Sequence, residues 1–400
     1  MREKNRIAII RGTVVTPAEC VQRGTVLIED GVIVFAGSAK DAAPEPGSTI
    51  FRATEKFVVP GLIDTHVHGS HGDDVMLNGA DGIRRISQHL LRYGTTAYLP
   101  STVSAHHAKL LGAIEDCVQA ETNPDPAAEI LGIHVEGPFI NKNKKGAQLE
   151  TAIRDPNLDE VREYLQAAPG RIKIMTLAPE LPGGIDLVRL LVRNGVIASL
   201  GHSEASYDDA LAAIEAGATH ATHLFNAMPA LHHRKPGLAA ACLNETAIRA
   251  EIVADGIHVA PEMVRLAAKM KGRDGLVLIT DAMSAVGCPE GIYALGEKEV
   301  RVANGRCTLL DGVTIASSLL TMNKGLGNLI AFTGMSLADA VHMSSLAPAR
   351  LCGAGGRKGS LEKGKDADVA ILNEDFSVAI TLAKGELAYG SVSASESPGA

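Results

Sequence analysis

Two textures of apolar patterning divide the chain. Over the first 57 residues, apolar positions fall in short β-rich runs broken by turn residues. Residues 24–35 read as two such runs around Asp30-Gly31, a hairpin signature. From residue 58, strand-length apolar runs alternate with segments of helical spacing. The strand-like runs lie at 62–68, 95–100, 130–136, 171–177, 196–201, 219–224, 248–254 and 276–281. Helical segments at 80–92, 106–120, 185–193, 206–216 and 261–270 separate most of them, with Ile83, Ile86, Leu90 and Leu91 forming the stripe of the first. Such alternation implies parallel βαβ units, and eight of them predict an α/β protein built on a closed (β/α)8 TIM-like barrel. A doubly wound open sheet is the alternative, but no Gly-x-Gly-x-x-Gly follows the first strand of the repeat.

Residues 284–322 break the rhythm with hairpin-like pieces turning at Asn304-Gly305 and Asp311-Gly312, which predicts an insertion after the eighth strand. Helices at 323–332 and 336–347 then complete the repeat. From Gly359 the β texture returns. Neither end is large enough to bury a core alone, so residues 1–57 and 359–390 are expected to form one small β-sandwich domain beside a barrel of 58–358. Ser-rich residues 391–400 read as a flexible tail.

Composition narrows the class. With no Trp and 3% aromatics, the core must be built from Ala, Val, Ile and Leu. Thirty-eight basic against 46 acidic residues give a net charge of −8, which argues against nucleic acid or an acidic membrane as partner. No apolar run approaches the length of a membrane span. The six cysteines are scattered without metal-knuckle or redox spacing, as expected of reduced thiols in a cytoplasmic protein.

The chemistry gathers at the C-terminal ends of the predicted strands, where barrel enzymes carry their active sites. Strand one ends in Asp64-Thr65-His66-Val67-His68, and the period of two puts both imidazoles on one face. Strand three ends in His134-Val135-Glu136, strand five in Gly201-His202-Ser203, strand six holds His220 and His223, and strand eight ends in Thr280-Asp281. A His-x-His pair or a strand-end Glu is ordinarily a hydrogen-bonded polar group. Four His, a Glu and an Asp at one rim instead suit Zn²⁺ or Fe²⁺ with positions left for water. His71, His89, His106, His107 and His342 fall in loops or helices and read as solvated or locally bonded. His134 shares the face of Glu136 and reads as support behind the ligands.

Several of these strings resemble a known family. Val-Pro-Gly-Leu-Ile-Asp-Thr-His-Val-His at 59–68 and Gly-Ser-Leu-Glu-Lys-Gly-Lys-Asp-Ala-Asp-Val-Ala-Ile-Leu at 359–372 resemble the amidohydrolase superfamily. Within it, His-Val-Glu-Gly-Pro-Phe from 134, Gly-His-Ser from 201, Thr-His-Leu-Phe-Asn-Ala-Met-Pro from 222, Ala-Asp-Gly-Ile-His from 254 and Thr-Asp-Ala from 280 resemble the N-acetylglucosamine-6-phosphate deacetylases. The resemblance implies Glu136, His202 and His223 as ligands of a principal metal, and His66 and His68 as a second site bridged by Glu136. It gives Asp281 the role of proton-transfer carboxylate and ligand. His258 would contact the sugar, and Asn226, the backbone of Ala227 and Arg234 the phosphate, with Arg234 reaching a neighbouring subunit's substrate in a homodimer. His232 and His233, next to Arg234, are further candidates for the phosphate pocket.

Gln148 stands where some relatives carry a His that polarises the amide carbonyl, a role its side-chain amide can share. Some relatives have Gln and Asn at the positions of His66 and His68, which here favour two ions over one. The implied reaction is hydrolysis of the acetamide of N-acetylglucosamine 6-phosphate to glucosamine 6-phosphate and acetate. The galactosamine epimer is an alternative substrate that these motifs do not separate, and a non-catalytic scaffold is a further alternative. A bridging-Lys cyclic amidase is disfavoured because strand four ends Met175-Thr-Leu-Ala-Pro, with Lys173 in mid-strand.

Overall fold

The computed structural model describes residues 5–121 and 126–391, so most of the expected C-terminal tail lies outside the described residues. Strands Leu62–Val67, Thr95–Pro100 and Glu129–Ile130 form one parallel sheet with 95–100 in the centre. Ile133–Glu136, Ile172–Leu177, Ile197–Leu200, His220–Ala221, Arg249–Val253 and Leu276–Ile279 form a second parallel sheet in chain order. Isolated parallel bridges, Ser101 with His134 and Val67 with Ala282, link strand ends of the two sheets. Every residue of 62–67, 95–100, 133–136 and 276–279 is buried, as a parallel sheet covered on both faces requires.

The segments between successive strands hold helices Gly79–Leu90, His107–Ala120, Leu158–Ala167, Gly184–Arg193, Tyr207–Glu215, Gly237–Asn244 and Pro261–Gly275. Two of these escape the apolar pattern. Leu158–Ala167 buries only Val161 and Tyr164, a stripe too narrow to read, and its start is fixed by the Asn157 side chain accepting from the Asp159 and Glu160 N–H groups. Gly237–Asn244 is apolar on nearly all sides, so it has no periodic contrast. The expected strand 130–136 is broken at Leu131-Gly132: Gly132 has φ +152°, and a Cβ there would sit 2.5 Å from the Arg171 carbonyl oxygen. The strand expected to run to 224 stops at Ala221, because positive φ values at His223, Phe225 and Ala227 turn the chain into a loop.

Both chain ends enter one eight-stranded sheet. Its order runs Glu386–Tyr389, Val378–Ala383, Val369–Leu372, Phe57–Pro60, Arg6–Val15, Cys20–Glu29 and Val32–Gly37, with Thr49–Arg52 also paired to 6–15. An apolar cluster including Ile9, Val26, Ile28, Phe51, Val58, Ile371 and Leu382 packs there separately from the main core. The expected insertion is a three-stranded antiparallel sheet, Gly291–Leu295, Lys298–Ala303 and Arg306–Leu309, turning at Asn304-Gly305. Met322–Thr333 follows it as a long helix. No helix among the described residues is long and apolar enough to cross a membrane.

Candidate active site

His66, His68, Glu136, His202, His223 and Asp281 converge where the parallel strands end, all buried. His66 Nε2 lies 3.1 Å from His68 Nε2, and His68 Nε2 lies 3.1 Å from Asp281 Oδ1. On the other side, His202 Nε2 and His223 Nε2 are 3.1 Å apart and stand 3.3 and 3.1 Å from Glu136 Oε1. Glu136 faces both trios, with Oε1 3.5 Å from His66 Nε2 and Oε2 3.7 Å from His68 Nε2. His202, His223 and Asp281 have φ of +48°, +29° and +52°, a region that costs a non-glycine residue about 1–3 kcal/mol each. The surrounding fold holds that strain where the donors meet.

The donor set fits divalent cations. His68 Nδ1–H donates to the Ser101 carbonyl at 3.1 Å and His202 Nδ1–H to the Lys144 carbonyl at 2.7 Å. A carbonyl only accepts, so Nδ1 of each ring keeps its proton, and only Nε2 is left to offer a lone pair inward to an ion. Inward lone pairs and two carboxylates repel unless positive charge sits among them. The ionisation of the site says the same. Burial would lower the His66 pKa, yet Glu251 and then Glu136 push it up to about 10. Burial likewise opposes charge on Glu136, but His66 and His202 hold its carboxyl well below the usual range. For Asp281, burial is outweighed by the His68 hydrogen bond and the facing His66.

Above the donors opens a cavity of about 340 Å³ whose lining includes Gln148, Asn226, Ala227 and His258. His258 is set by Asp255, whose Oδ2 lies 2.7 Å from Nδ1 while its Oδ1 accepts the His258 backbone N–H at 2.8 Å. Gln148 is turned toward Glu136: its Nε2 donates to Glu136 Oε2 and its Oε1 accepts the Ser104 N–H at 2.6 Å. Leu295 and Lys298 of the inserted sheet, with Glu297 in the turn between them, form part of the wall. Arg234 and His233 are not brought to this lining. They are exposed, and Arg234 Nη1 donates to His233 Nε2 at 2.7 Å. His134 supports the ring of His66, packing edge-on at 4.4 Å, and burial pushes its own pKa down to about 3.

Sequence reasoning passed over the buried side chains beneath the donors. Glu251, fully buried, has its Oε2 3.0 Å from His66 Nδ1 and its Oε1 3.4 Å from His220 Nε2. Asp64 accepts from Thr280 Oγ1 at 2.5 Å, stitching the first strand to the eighth. The available signal was a lone acidic residue inside an apolar strand, as in Ala250-Glu251-Ile252-Val253.

The chain belongs to the amidohydrolase family, which matches residues 57–388. Relatives that it matches over most of its length include deacetylases of N-acetylhexosamine phosphates. The N-acetylglucosamine-6-phosphate deacetylase of Bacillus subtilis (strain 168) is 38% identical over 381 residues, covering 94% of this chain and 95% of its own. The N-acetylgalactosamine-6-phosphate deacetylase of Escherichia coli O157:H7 is 36% identical over 361 residues, covering 90% and 93%. An N-acetyl-D-glucosamine-6-phosphate deacetylase mutant from Mycobacterium smegmatis, in complex with N-acetyl-D-glucosamine-6-phosphate, superposes with a TM-score of 0.90 at 33% identity, covering 96% of this chain and 99% of its own.

Proposed function

We propose that this chain hydrolyses the acetamide of N-acetylglucosamine 6-phosphate, releasing acetate and glucosamine 6-phosphate. The observation that carries the reading is the convergence of six imidazole and carboxylate donors, five of them lining one cavity, in a chain similar over most of its length to deacetylases of such sugars. Glu136, His202 and His223 would hold one divalent ion, and His66, His68 and Asp281 a second, with Glu136 between them. Zn²⁺ and Fe²⁺ suit this mixture of imidazole and carboxylate. When bound, such an ion polarises a carbonyl and makes water acidic near neutral pH.

The chain's own residues do the rest. Asp281 takes the proton of the attacking water and returns it to the sugar nitrogen as the C–N bond breaks, serving first as base and then as acid. Gln148 fixes the Glu136 carboxylate through one amide hydrogen. His258, its Nδ1 engaged by Asp255, offers Nε2 to a sugar hydroxyl. Asn226 and the Ala227 backbone hold the phosphate, and Arg234 and His233 reach it from a second copy in a homodimer; their position outside this chain's own cavity supports that division.

The architecture we infer around this chemistry is one (β/α)8 barrel of residues 58–358 and a small β-sandwich domain of 1–57 and 359–390. The bridges between the parallel sheets support the first, and the separate apolar cluster supports the second. Six free cysteines support a reducing, cytoplasmic setting. A galactosamine 6-phosphate product is a second reading, favoured by the 36% identity to the Escherichia coli relative. Acetate release from both N-acetylhexosamine 6-phosphates, with and without chelator, tests the proposal. Metal-dependent release is expected with the gluco epimer preferred; release from neither, in protein supplied with Zn²⁺ or Fe²⁺, refutes it.

A further inference from the structure

A histidine that ligates through one nitrogen carries its proton on the other, and the partner that proton meets sets both the tautomer and the ring's orientation. The inward-facing imidazoles here use different partners. His68 and His202 donate to neutral backbone carbonyls, and His223 Nδ1 is buried with no hydrogen-bond partner among the described residues. His66 alone among the four turns its outer nitrogen to a carboxylate, Glu251 Oε2 at 3.0 Å. The same oxygen accepts the His223 backbone N–H at 3.2 Å. One side chain on strand Arg249–Val253 thus ties the His66 ring, on the first parallel strand, to the loop that presents His223.

The cluster of His66, His134 and Glu251 also gathers three ligand-type atoms, but its geometry is that of a support. His134 Nδ1–H donates to the Thr65 carbonyl at 3.1 Å, and its Nε2 accepts from Thr176 Oγ1 at 2.8 Å, leaving no lone pair free for an ion. Glu251 Oε1 faces His220 Nε2 at 3.4 Å. The carboxylate is buried completely, and nothing in the proposed hydrolysis uses it.

We propose that Glu251 is a positioning residue that aims and strengthens His66 as a ligand, and so determines whether the His66–His68–Asp281 side holds its ion. The inference rests on the two-ion reading above. A carboxylate accepting from the outer nitrogen makes the inner one a better donor; a neutral acceptor does so less. Ligand-supporting partners of this kind typically change metal affinity by about 10- to 100-fold.

The test titrates cobalt(II) ion alone into chelator-stripped wild type and Glu251→Gln, following visible d–d absorption and the ions retained per chain. Gln preserves the side chain's length and an oxygen for the His223 N–H, while removing the charge. Wild type is expected to take up two ions. In the variant the second dissociation constant should rise by about 10- to 100-fold, with the first nearly unchanged and the second ion's absorption altered. Two ions bound by the folded variant with wild-type constants and spectrum overturn the proposal. A wild type that takes only one ion at any concentration refutes the two-ion reading and the role of Glu251 with it. Should the Gln variant not fold, Glu251→Asp keeps the charge but withdraws it by one methylene. Its second ion should weaken as well, and unchanged binding again overturns the proposal. Because the readout is ion binding, failure of the deacetylase assignment would show elsewhere, in the acetate assay.

Discussion

Replacing Asp281 with Asn removes a proton acceptor and one ligand's negative charge while nearly keeping the side chain's shape. The residue sits at φ +52°, a region Asn enters more readily than most side chains, so the backbone can keep its path. That path is held by main-chain contacts the substitution does not touch: Asp281 N–H to the His66 carbonyl at 3.0 Å and Ser318 N–H to the Asp281 carbonyl at 2.8 Å. The lost function is at Oδ1, 3.1 Å from His68 Nε2 and facing the cavity. General acid–base catalysis contributes about 10²- to 10⁴-fold, and at the low end its loss raises the barrier by about 2.7 kcal/mol. Turnover of N-acetylglucosamine 6-phosphate by Asp281→Asn should therefore fall by at least about 10²-fold, with KM changing far less. The assay is acetate release across a substrate series, with ion content measured on the same preparation so that metal loss is separated from proton transfer. Near-normal turnover in the metal-loaded variant would show that another group moves the proton.

Metal content supplies a second prediction: reconstituted wild type should bind more than one divalent ion per chain, and His66→Gln should bind one, by elemental analysis. A wild-type value fixed at one and unchanged in the variant contradicts it. Arg234→Ala should lose roughly 10- to 150-fold in kcat/KM on the 6-phosphate, the equivalent of about 1.5–3 kcal/mol for a charge-assisted contact, and almost nothing on the unphosphorylated N-acetyl sugar. Equal losses on both substrates would make Arg234 structural. Glu129 is paired with Arg357, with Lys358 at 3.1 Å and with Lys384 at 3.0 Å; burial opposes its charge, but these cations lower its pKa to about 2 from an ordinary 4.5. Its stabilisation is thus present above about pH 4.5 and lost as pH falls toward 2. Denaturant melts should show Glu129→Gln less stable than wild type at pH 7, with the gap narrowing by pH 3; a pH-independent gap would refute the linkage.

What the sequence made legible was whatever repeats locally. Alternation of strand and helix located the parallel strands to within a few residues, and the strand period put His66 and His68 on one face. Strand ends likewise pointed to Glu136, His202 and Asp281, because position along a strand is itself a statement about which rim a side chain occupies. The illegible parts depend on partners distant in the chain. Nothing near Glu251 announces that it meets His66, 185 residues away. Gln148 reads as a carbonyl polariser, and nothing near it in the chain announces that Glu136 and Ser104 engage its amide. The short strand His220–Ala221 reads as a longer one because the turns that end it fall on His223, Phe225 and Ala227, ordinary residues with positive φ and no glycine to advertise them.

The sheet that holds both chain ends has a consequence for biosynthesis. Phe57–Pro60, which leads directly into the strand carrying His66, pairs antiparallel with Val369–Leu372, Val58 opposite Ile371. A ribosome therefore emits Phe57–Pro60 about 300 residues before the segment that pairs with it. Without that segment, residues 57–60 would pair only with Arg6–Val15, and an unpaired strand edge is a template for misassembly. Chains that terminate before residue 369 would keep every histidine and carboxylate of the site yet lack the strand that closes over its foundation.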